Sequence, residues 1–192
     1  DISVSKAELP LISTEAVEIP LDQTDPIYGN QGSAITIVEF LDLNNKASQV
    51  VHQTLVTFVS ANPDKVRLIV KDFPASGFFR NDNYAPHLAA ICASVESSRK
   101  YYEYLNELLA QKDSLKKEAT QTASAEKIKL YLPAWRNCLT STATKTRLEA
   151  SISLAKSLGL KSAPEIFINN KKVNYLSDIN LGDLLKEIIK VY

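Results

Sequence analysis

The chain has 192 residues, of which 45% are hydrophobic and 23% are charged. This length suits one domain, or one domain with an insertion, and is enough to bury a sizeable core. The 22 basic and 22 acidic side chains balance, which excludes the basic surface field that nucleic-acid binding requires. The apolar runs are too short for a bilayer-spanning helix. The absence of methionine predicts a processed chain from which any signal peptide or anchor has been removed.

The chain begins with a segment in which the apolar residues show neither helical nor strand periodicity. Residues 1–24 contain two prolines and scattered apolar positions, and we expect an N-terminal arm or linker that docks weakly. Residues 25–192 are predicted to form a single domain.

A strand, a helix and a second strand are predicted next. Residues 34–40 are nearly all apolar and rich in β-branched side chains, which is typical of a strand buried on both faces. Helical spacing follows over residues 47–59, with Asn44 or Asn45 as the cap. Residues 66–70 form a second buried strand, so this segment predicts a right-handed βαβ unit.

The remaining sequence predicts a helical block and then a ββα ending. Residues 74–143 contain no good strand, and they are read as a helical insertion. The helices are predicted at residues 85–95, 99–111, about 124–132 and about 145–158, the last ending at Gly159. A hairpin over residues 165–173 turns at two asparagines, and the final helix carries one apolar face: Leu181, Leu184, Leu185, Ile188 and Ile189.

This order of elements is that of the thioredoxin fold with a helical insertion. Over about residues 25–190 the chain resembles the DsbA-like family of bacterial thiol:disulfide oxidoreductases. The resemblance is carried by six stretches in order: DPIYGN at 25–30, TIVEF at 36–40, VRLIVKDFP at 66–74, AAICA at 89–93, YYEY at 101–104 and LGLKSAPEIFIN at 158–169. It implies an α/β fold, βαβ…ββα with an insertion, of DsbA-like form.

The resemblance places the family's Cys-x-x-Cys motif at the start of the first helix. This chain has Asn45, Lys46, Ala47 and Ser48 there. Thiol–disulfide exchange requires a thiolate whose pKa is lowered at a helix N-terminus. An amide cannot form a mixed disulfide and a hydroxyl cannot resolve one, so we expect no catalytic residue in this degenerate motif.

Ala163 and Pro164 stand at the place of the family's cis-proline loop. The resemblance implies a cis bond there and a loop that faces the motif. In one interpretation this loop presents backbone groups to an extended peptide. In the other it is a turn that the fold needs whatever the function.

Cys92 and Cys138 are the only cysteines, and both fall in the insertion. The favoured interpretation is one structural disulfide, which fits an oxidising, extracytoplasmic compartment. Two alternatives stay open: a pair of buried free thiols, and a redox pair displaced from the usual position.

Three other features invite a functional interpretation. Ser48 and His52 share one helix face, which suggests a hydrolase, but the sequence lacks a nucleophile elbow and an ordinary helix pair is favoured. His87 is expected on the solvated side of its helix. Two histidines without clustered carboxylates predict no metal site, and no cofactor is predicted. Phe78 and Phe79 are either an exposed partner contact or an anchor for their loop.

The sequence therefore predicts a redox-inactive DsbA-like protein, periplasmic, cell-surface or secreted. It would bind a protein or an extended peptide near the Pro164 loop. The alternatives are a thiol:disulfide oxidoreductase-related enzyme with a non-standard site, and a purely structural domain. The partner, a membrane tether outside the given chain and the oligomeric state are left open.

Overall fold

A computed structural model describes residues 12–75, 80–111, 114–174 and 178–191. The strands in these residues are β1 (Ile12–Ala16), β2 (Ile27–Gly29), β3 (Ile35–Leu41), β4 (Val66–Asp72), β5 (Glu165–Ile168) and β6 (Lys171–Val173). The helices are α1 (Lys46–Ala61), α2 (Arg80–Ser94), α3 (Ser98–Ala110), α4 (Glu118–Lys127), α5 (Leu132–Leu139), α6 (Thr142–Ser157) and α7 (Asp178–Val191).

The strands form one mixed sheet in the order β1-β6-β5-β3-β4-β2. At its centre β3 and β4 run parallel, in register from Ile35 opposite Val66 to Leu41 opposite Asp72. On its other side β3 pairs antiparallel with β5. The predicted α/β fold, βαβ…ββα with a helical insertion, is confirmed. Because β3 and β4 are parallel and in register, their carboxyl ends lie side by side at the same edge of the sheet.

Helices cover both faces of the sheet, which explains the nearly continuous apolar runs of its central strands. Side chains alternate along β3: Ile37 and Leu41 pack with α1, α3 and α7, while Val38 and Phe40 pack with α6. In α1 the buried Val51, Leu55 and Val59 recur every four residues and form the face against the sheet.

The N-terminal arm differs from the expectation of weak docking. Residues 12–16 form β1, which pairs antiparallel with β6 and extends the sheet. The sequence did not predict this strand because its Ser-Thr-Glu centre lies at an exposed edge and lacks the alternation of a half-buried strand. Residues 1–11 lie outside the described residues, and the division at residues 24 and 25 stays a prediction.

The insertion is helical as predicted, but its helices differ in place and number. α4 begins at Glu118 rather than about residue 124, and α5 was not predicted. Pro133 lies in the first turn of α5, where the missing N–H costs nothing. Cys92 of α2 and Cys138 of α5 form a disulfide. No helix in the described residues is long and apolar enough to cross a membrane. Phe78 and Phe79 lie outside those residues.

Candidate functional site

Residues 45–48, which the resemblance places at the family's Cys-x-x-Cys motif, lie at the N-terminus of α1, where Asn45 is the helix cap. Its backbone is extended, with φ −98° and ψ 121°. Its side-chain Oδ1 accepts hydrogen bonds from the N–H groups of Ala47 at 2.9 Å and Ser48 at 3.2 Å. Asparagine is among the preferred caps because its oxygen satisfies these otherwise unpaired donors. The sequence predicted either Asn44 or Asn45 as the cap, and in the structure the cap is Asn45.

The same side chain also reaches the loop that precedes β5. The Asn45 amide nitrogen donates to the Ala163 carbonyl at 3.3 Å, and the bond between Ala163 and Pro164 is cis. One asparagine therefore caps α1 through its oxygen and ties the helix to the loop through its nitrogen. The structure brings these two regions together, as the resemblance implies. Nothing in the sequence pattern indicated the hydrogen bond between them.

Ser48, the last residue of the motif, is fully buried. Its hydroxyl oxygen accepts a hydrogen bond from the Asp42 N–H at 3.4 Å. His52, one turn later, is also buried, and its Nδ1 lies 2.7 Å from Oε2 of Glu39. The hydrogen bonds of Ser48 and His52 thus lead to different partners, and a buried hydroxyl offers no access to a substrate. This geometry argues against the hydrolase interpretation.

The pair of Glu39 and His52 lies between β3 and α1. Glu39 is fully buried, and its second carboxylate oxygen has no hydrogen-bond partner in the described part of the chain. The His52 ring lies parallel to the Tyr102 ring, with 6.3 Å between their centroids. Because burial leaves a charged or polar side chain without water, the 2.7 Å contact is the main compensation for burying both groups.

Asp42 organises the turn between β3 and α1. Its Oδ1 accepts the Asn44 N–H at 2.9 Å and its Oδ2 accepts the Ala75 N–H at 3.0 Å. Its backbone carbonyl accepts the Asn45 N–H at 3.0 Å. The buried Asp42 carboxylate therefore stabilises the turn that positions Asn45 at the start of α1. It also binds the segment that follows β4.

The prediction that His87 is solvated is wrong, since its side chain is fully buried. Its Nδ1 lies 2.7 Å from Oδ1 of Asp72. Its Nε2 accepts the Leu43 N–H at 3.1 Å and lies 3.5 Å from Oδ1 of Asp42. The imidazole is buried because two carboxylates at the ends of parallel strands give it partners. A polar residue after each buried strand, Asp42 and Asp72, was the available sequence signal, and it was missed.

Asp42, Asp72 and His87 form one buried cluster, and the pKa values of Asp42 and His87 are shifted in it. Burial is the strongest single influence on Asp42 and acts to raise its pKa, but His87 and the N–H groups of Asn44 and Ala75 outweigh it, so the pKa lies below the usual value. Burial likewise acts to lower the pKa of His87, but Asp42 and Asp72 together raise it above the usual 6.5. The described residues include no group of three His, Cys, Asp or Glu side chains arranged to hold a metal ion.

Comparisons with known proteins agree with this architecture. A family model described as thioredoxin, Thioredoxin_4, matches residues 21–187. No curated protein matches the sequence significantly.

Several solved structures have a similar fold. A thioredoxin-like oxidoreductase from Silicibacter pomeroyi DSS-3 is 21% identical, with a TM-score of 0.69 over 89% of this chain and 95% of that chain. The thiol-disulfide exchange protein alpha-DsbA2 from Wolbachia pipientis is 18% identical, with a TM-score of 0.71 over 87% and 88%. A periplasmic thioredoxin-like protein from Salmonella enterica serovar Typhimurium is 18% identical, with a TM-score of 0.70 over 88% and 92%. At these identities the likeness establishes the fold.

Proposed function

The chain belongs to the thioredoxin family, and from that premise we propose that it is a redox-inactive, DsbA-like member that binds a protein or an extended peptide beside the Pro164 loop. Its binding surface would be the N-terminus of α1 and the loop that faces it. The observation that carries this proposal is the double role of Asn45, which caps α1 and binds the Ala163 carbonyl.

Redox inactivity is supported by the chemistry available at the helix start. Exchange needs a thiolate that attacks a disulfide sulfur and a second thiol that resolves the mixed disulfide. Asn45 and Ser48 supply neither. The chain has two cysteines, both bonded to each other in the insertion. The proposed active-site position therefore has no sulfur with which to begin the reaction.

Binding is supported by the backbone group that Asn45 now holds. Extended peptides are recognised through backbone hydrogen bonds at sheet edges and loops. Ala163 is itself buried, but it lies between the exposed Ser162 and the half-buried Pro164, and its carbonyl is an acceptor there. A peptide N–H could take this acceptor by displacing the Asn45 amide. Neighbouring charge adds to the attraction for polar ligands, because the first turn of α1 has no acidic residue and begins with Lys46.

An extracytoplasmic location is part of the proposal. The Cys92–Cys138 disulfide fits an oxidising compartment, since cytosolic thiols are kept reduced. The Salmonella structure of similar fold is described as periplasmic.

The redox half of the proposal is tested by insulin reduction. We expect the wild-type protein to give background turnover. The Asn45→Cys, Ser48→Cys double variant should gain turnover, because both thiols then lie at the start of α1, where the helix dipole and Lys46 favour a thiolate. Wild-type turnover above background would instead support an enzyme with a non-standard site. Its loss in a Cys92→Ser, Cys138→Ser variant would place the redox centre in the insertion.

The binding half is tested with a reduced and alkylated unfolded polypeptide, labelled for fluorescence anisotropy. Asn45→Ser keeps a capping oxygen but is too short to hold the Ala163 carbonyl, so we expect tighter binding than in the wild type. Asn62→Ser is the matched control, because Asn62 donates to the Phe58 carbonyl at the opposite end of α1 and should leave the affinity unchanged. Absence of binding by both wild type and Asn45→Ser would overturn this half and favour a purely structural domain.

A further inference from the structure

Nε2 of His87 faces two groups that require opposite protonation states. The Leu43 N–H, at 3.1 Å, donates to it and needs a free lone pair. Oδ1 of Asp42, at 3.5 Å, is an acceptor and needs a proton on Nε2. Nδ1 donates to Asp72 at 2.7 Å in either state. A single proton on Nε2 therefore decides which of the two groups His87 binds.

The geometry points to a proton-operated latch, in which neutral His87 holds the Leu43 N–H and protonated His87 releases it and binds Asp42. The proton comes from solvent and adds to the lone pair of Nε2, with no other covalent bond changed. The latch goes beyond the proposed function, since it needs neither a peptide nor a thiol.

Movement of the Asp42 carboxylate would be transmitted to the start of α1. Its Oδ1, which the imidazolium would engage, is the acceptor of the Asn44 N–H at 2.9 Å. Its carbonyl accepts the Asn45 N–H, and its own N–H donates to the Ser48 hydroxyl oxygen. Asn45, which caps α1 and binds the Ala163 carbonyl, is therefore connected to the latch through the hydrogen bonds of Asp42 in the turn between β3 and α1. Protonation of His87 would change the geometry of the helix start.

The elements around α2 contribute their own charged and titratable groups. β4 carries Asp72 and also Lys71, whose ammonium is paired with Asp25 at 2.6 Å. α3 carries Tyr101, whose pKa is raised well above the usual value, first by burial and then by Asp72. α6 carries Arg147, which binds the Ser94 hydroxyl. The residues that α4 and α5 bury are uncharged: Gln121, Ser124, Ala125 and Trp135.

These surroundings favour the protonated imidazole. Two carboxylates face the imidazole, while Lys71 and Arg147 have partners of their own. The balance of burial against Asp42 and Asp72 raises the pKa of His87 above 6.5. The latch should therefore respond above the pH at which an ordinary histidine titrates.

The test is NMR of the full chain without any ligand, between pH 5 and 9. We expect the Leu43 backbone amide shift and the Asn45 side-chain amide shift to titrate with the midpoint of the His87 ring. In the protonated state, hydrogen exchange at Leu43, corrected for its intrinsic pH dependence, should be about tenfold faster, the effect of losing one hydrogen bond. A Leu43 amide that stays constant through the His87 titration, or follows another midpoint, would overturn the latch.

Two variants sharpen the measurement. Asp42→Asn removes one carboxylate that favours the imidazolium, so the shared midpoint of His87 and Leu43 should move to lower pH. His52→Gln is the matched control, because His52 pairs with Glu39 instead, and the Leu43 titration should be unchanged. The wild-type titration stands as the test if either variant does not fold. Since no peptide is used, failure of the latch is distinguishable from failure of the binding proposal.

Discussion

Two tie points hold distant segments of this protein together, and they differ in kind. In the insertion, a disulfide joins α2 to α5 across 46 residues. At the start of α1, a hydrogen bond from Asn45 joins the helix to the Ala163 loop across 118 residues. The first link is covalent and opens only under reduction. The second exchanges with any competing donor or acceptor, so the region proposed to bind a ligand is the one closed by a reversible contact.

Reduction of the disulfide should have the largest effect on the free energy of unfolding. Closing a loop of 46 residues lowers the entropy of the unfolded chain, which raises its free energy by about 4 kcal/mol in the loop-entropy model. We expect reduction to lower the free energy of unfolding by that amount, measured by urea denaturation with and without reductant. The fold should remain, because the central strands are buried on both faces by apolar clusters that extend well beyond the two cysteines.

A thiol titration in denaturant provides the control for that measurement. Without reductant it should find no free thiol, and with reductant it should find both cysteines. Two free thiols in the untreated protein would show that the link is not formed. An unchanged free energy of unfolding after complete reduction would show that the disulfide does not stabilise the insertion.

A smaller effect is expected when the reversible tie is cut. Asn45→Ala removes the cap of α1, worth about 1 kcal/mol, and the hydrogen bond to Ala163, worth about 1 kcal/mol, so stability should fall by about 2 kcal/mol. Asn45→Ser retains a capping oxygen and should lose about half of this. Equal losses in the two variants, measured by urea denaturation, would mean that the contact with Ala163 contributes nothing.

The smallest expected effect is the dependence of the free energy of unfolding on pH. His87 has a raised folded-state pKa, so its contribution is complete below 6.5 and is lost as the pH rises through the raised value. Asp42 has a lowered pKa, so its contribution is complete above 3.8 and is lost as the pH falls through the lowered value. The free energy of unfolding should be highest between these limits.

His87 lies on α2 together with Cys92, but its partners Asp42 and Asp72 lie at the ends of β3 and β4. The same pH dependence should therefore persist after the disulfide is reduced. Asp42→Asn should flatten the acidic side of the profile and move the loss on the alkaline side to lower pH. A profile that is unchanged by Asp42→Asn would assign the pH dependence to other groups.

The sequence predicted the elements that solvent cannot reach. β3 and β4 are buried on both faces, and their nearly unbroken apolar runs identified them. The disulfide between Cys92 and Cys138 was the favoured interpretation, and it is present. β1 could not be recognised in this way, because only its pairing with β6 makes a strand of the exposed Thr14 and Glu15.

The site was predicted only as far as local rules extend. Asn45 was one of two candidate caps, with Asn44, because capping depends on the next three residues. Its bond to Ala163 depends on how β5 lies beside β3, which no local pattern contains. His87 was misplaced for the same reason, since its burial depends on carboxylates from two other segments, Asp42 and Asp72.

The pairing of β1 with β6 also has a consequence for solubility. β6 is bonded to β5 on one side, and β1 covers the other. A chain shortened to begin after Ala16 would leave that side of β6 open, and open strand edges promote association between molecules. Lys171 lies on this strand, and its positive charge would oppose the joining of two such edges, whereas Lys172 is paired with Glu165. We therefore expect the five residues of β1 to protect the protein against aggregation.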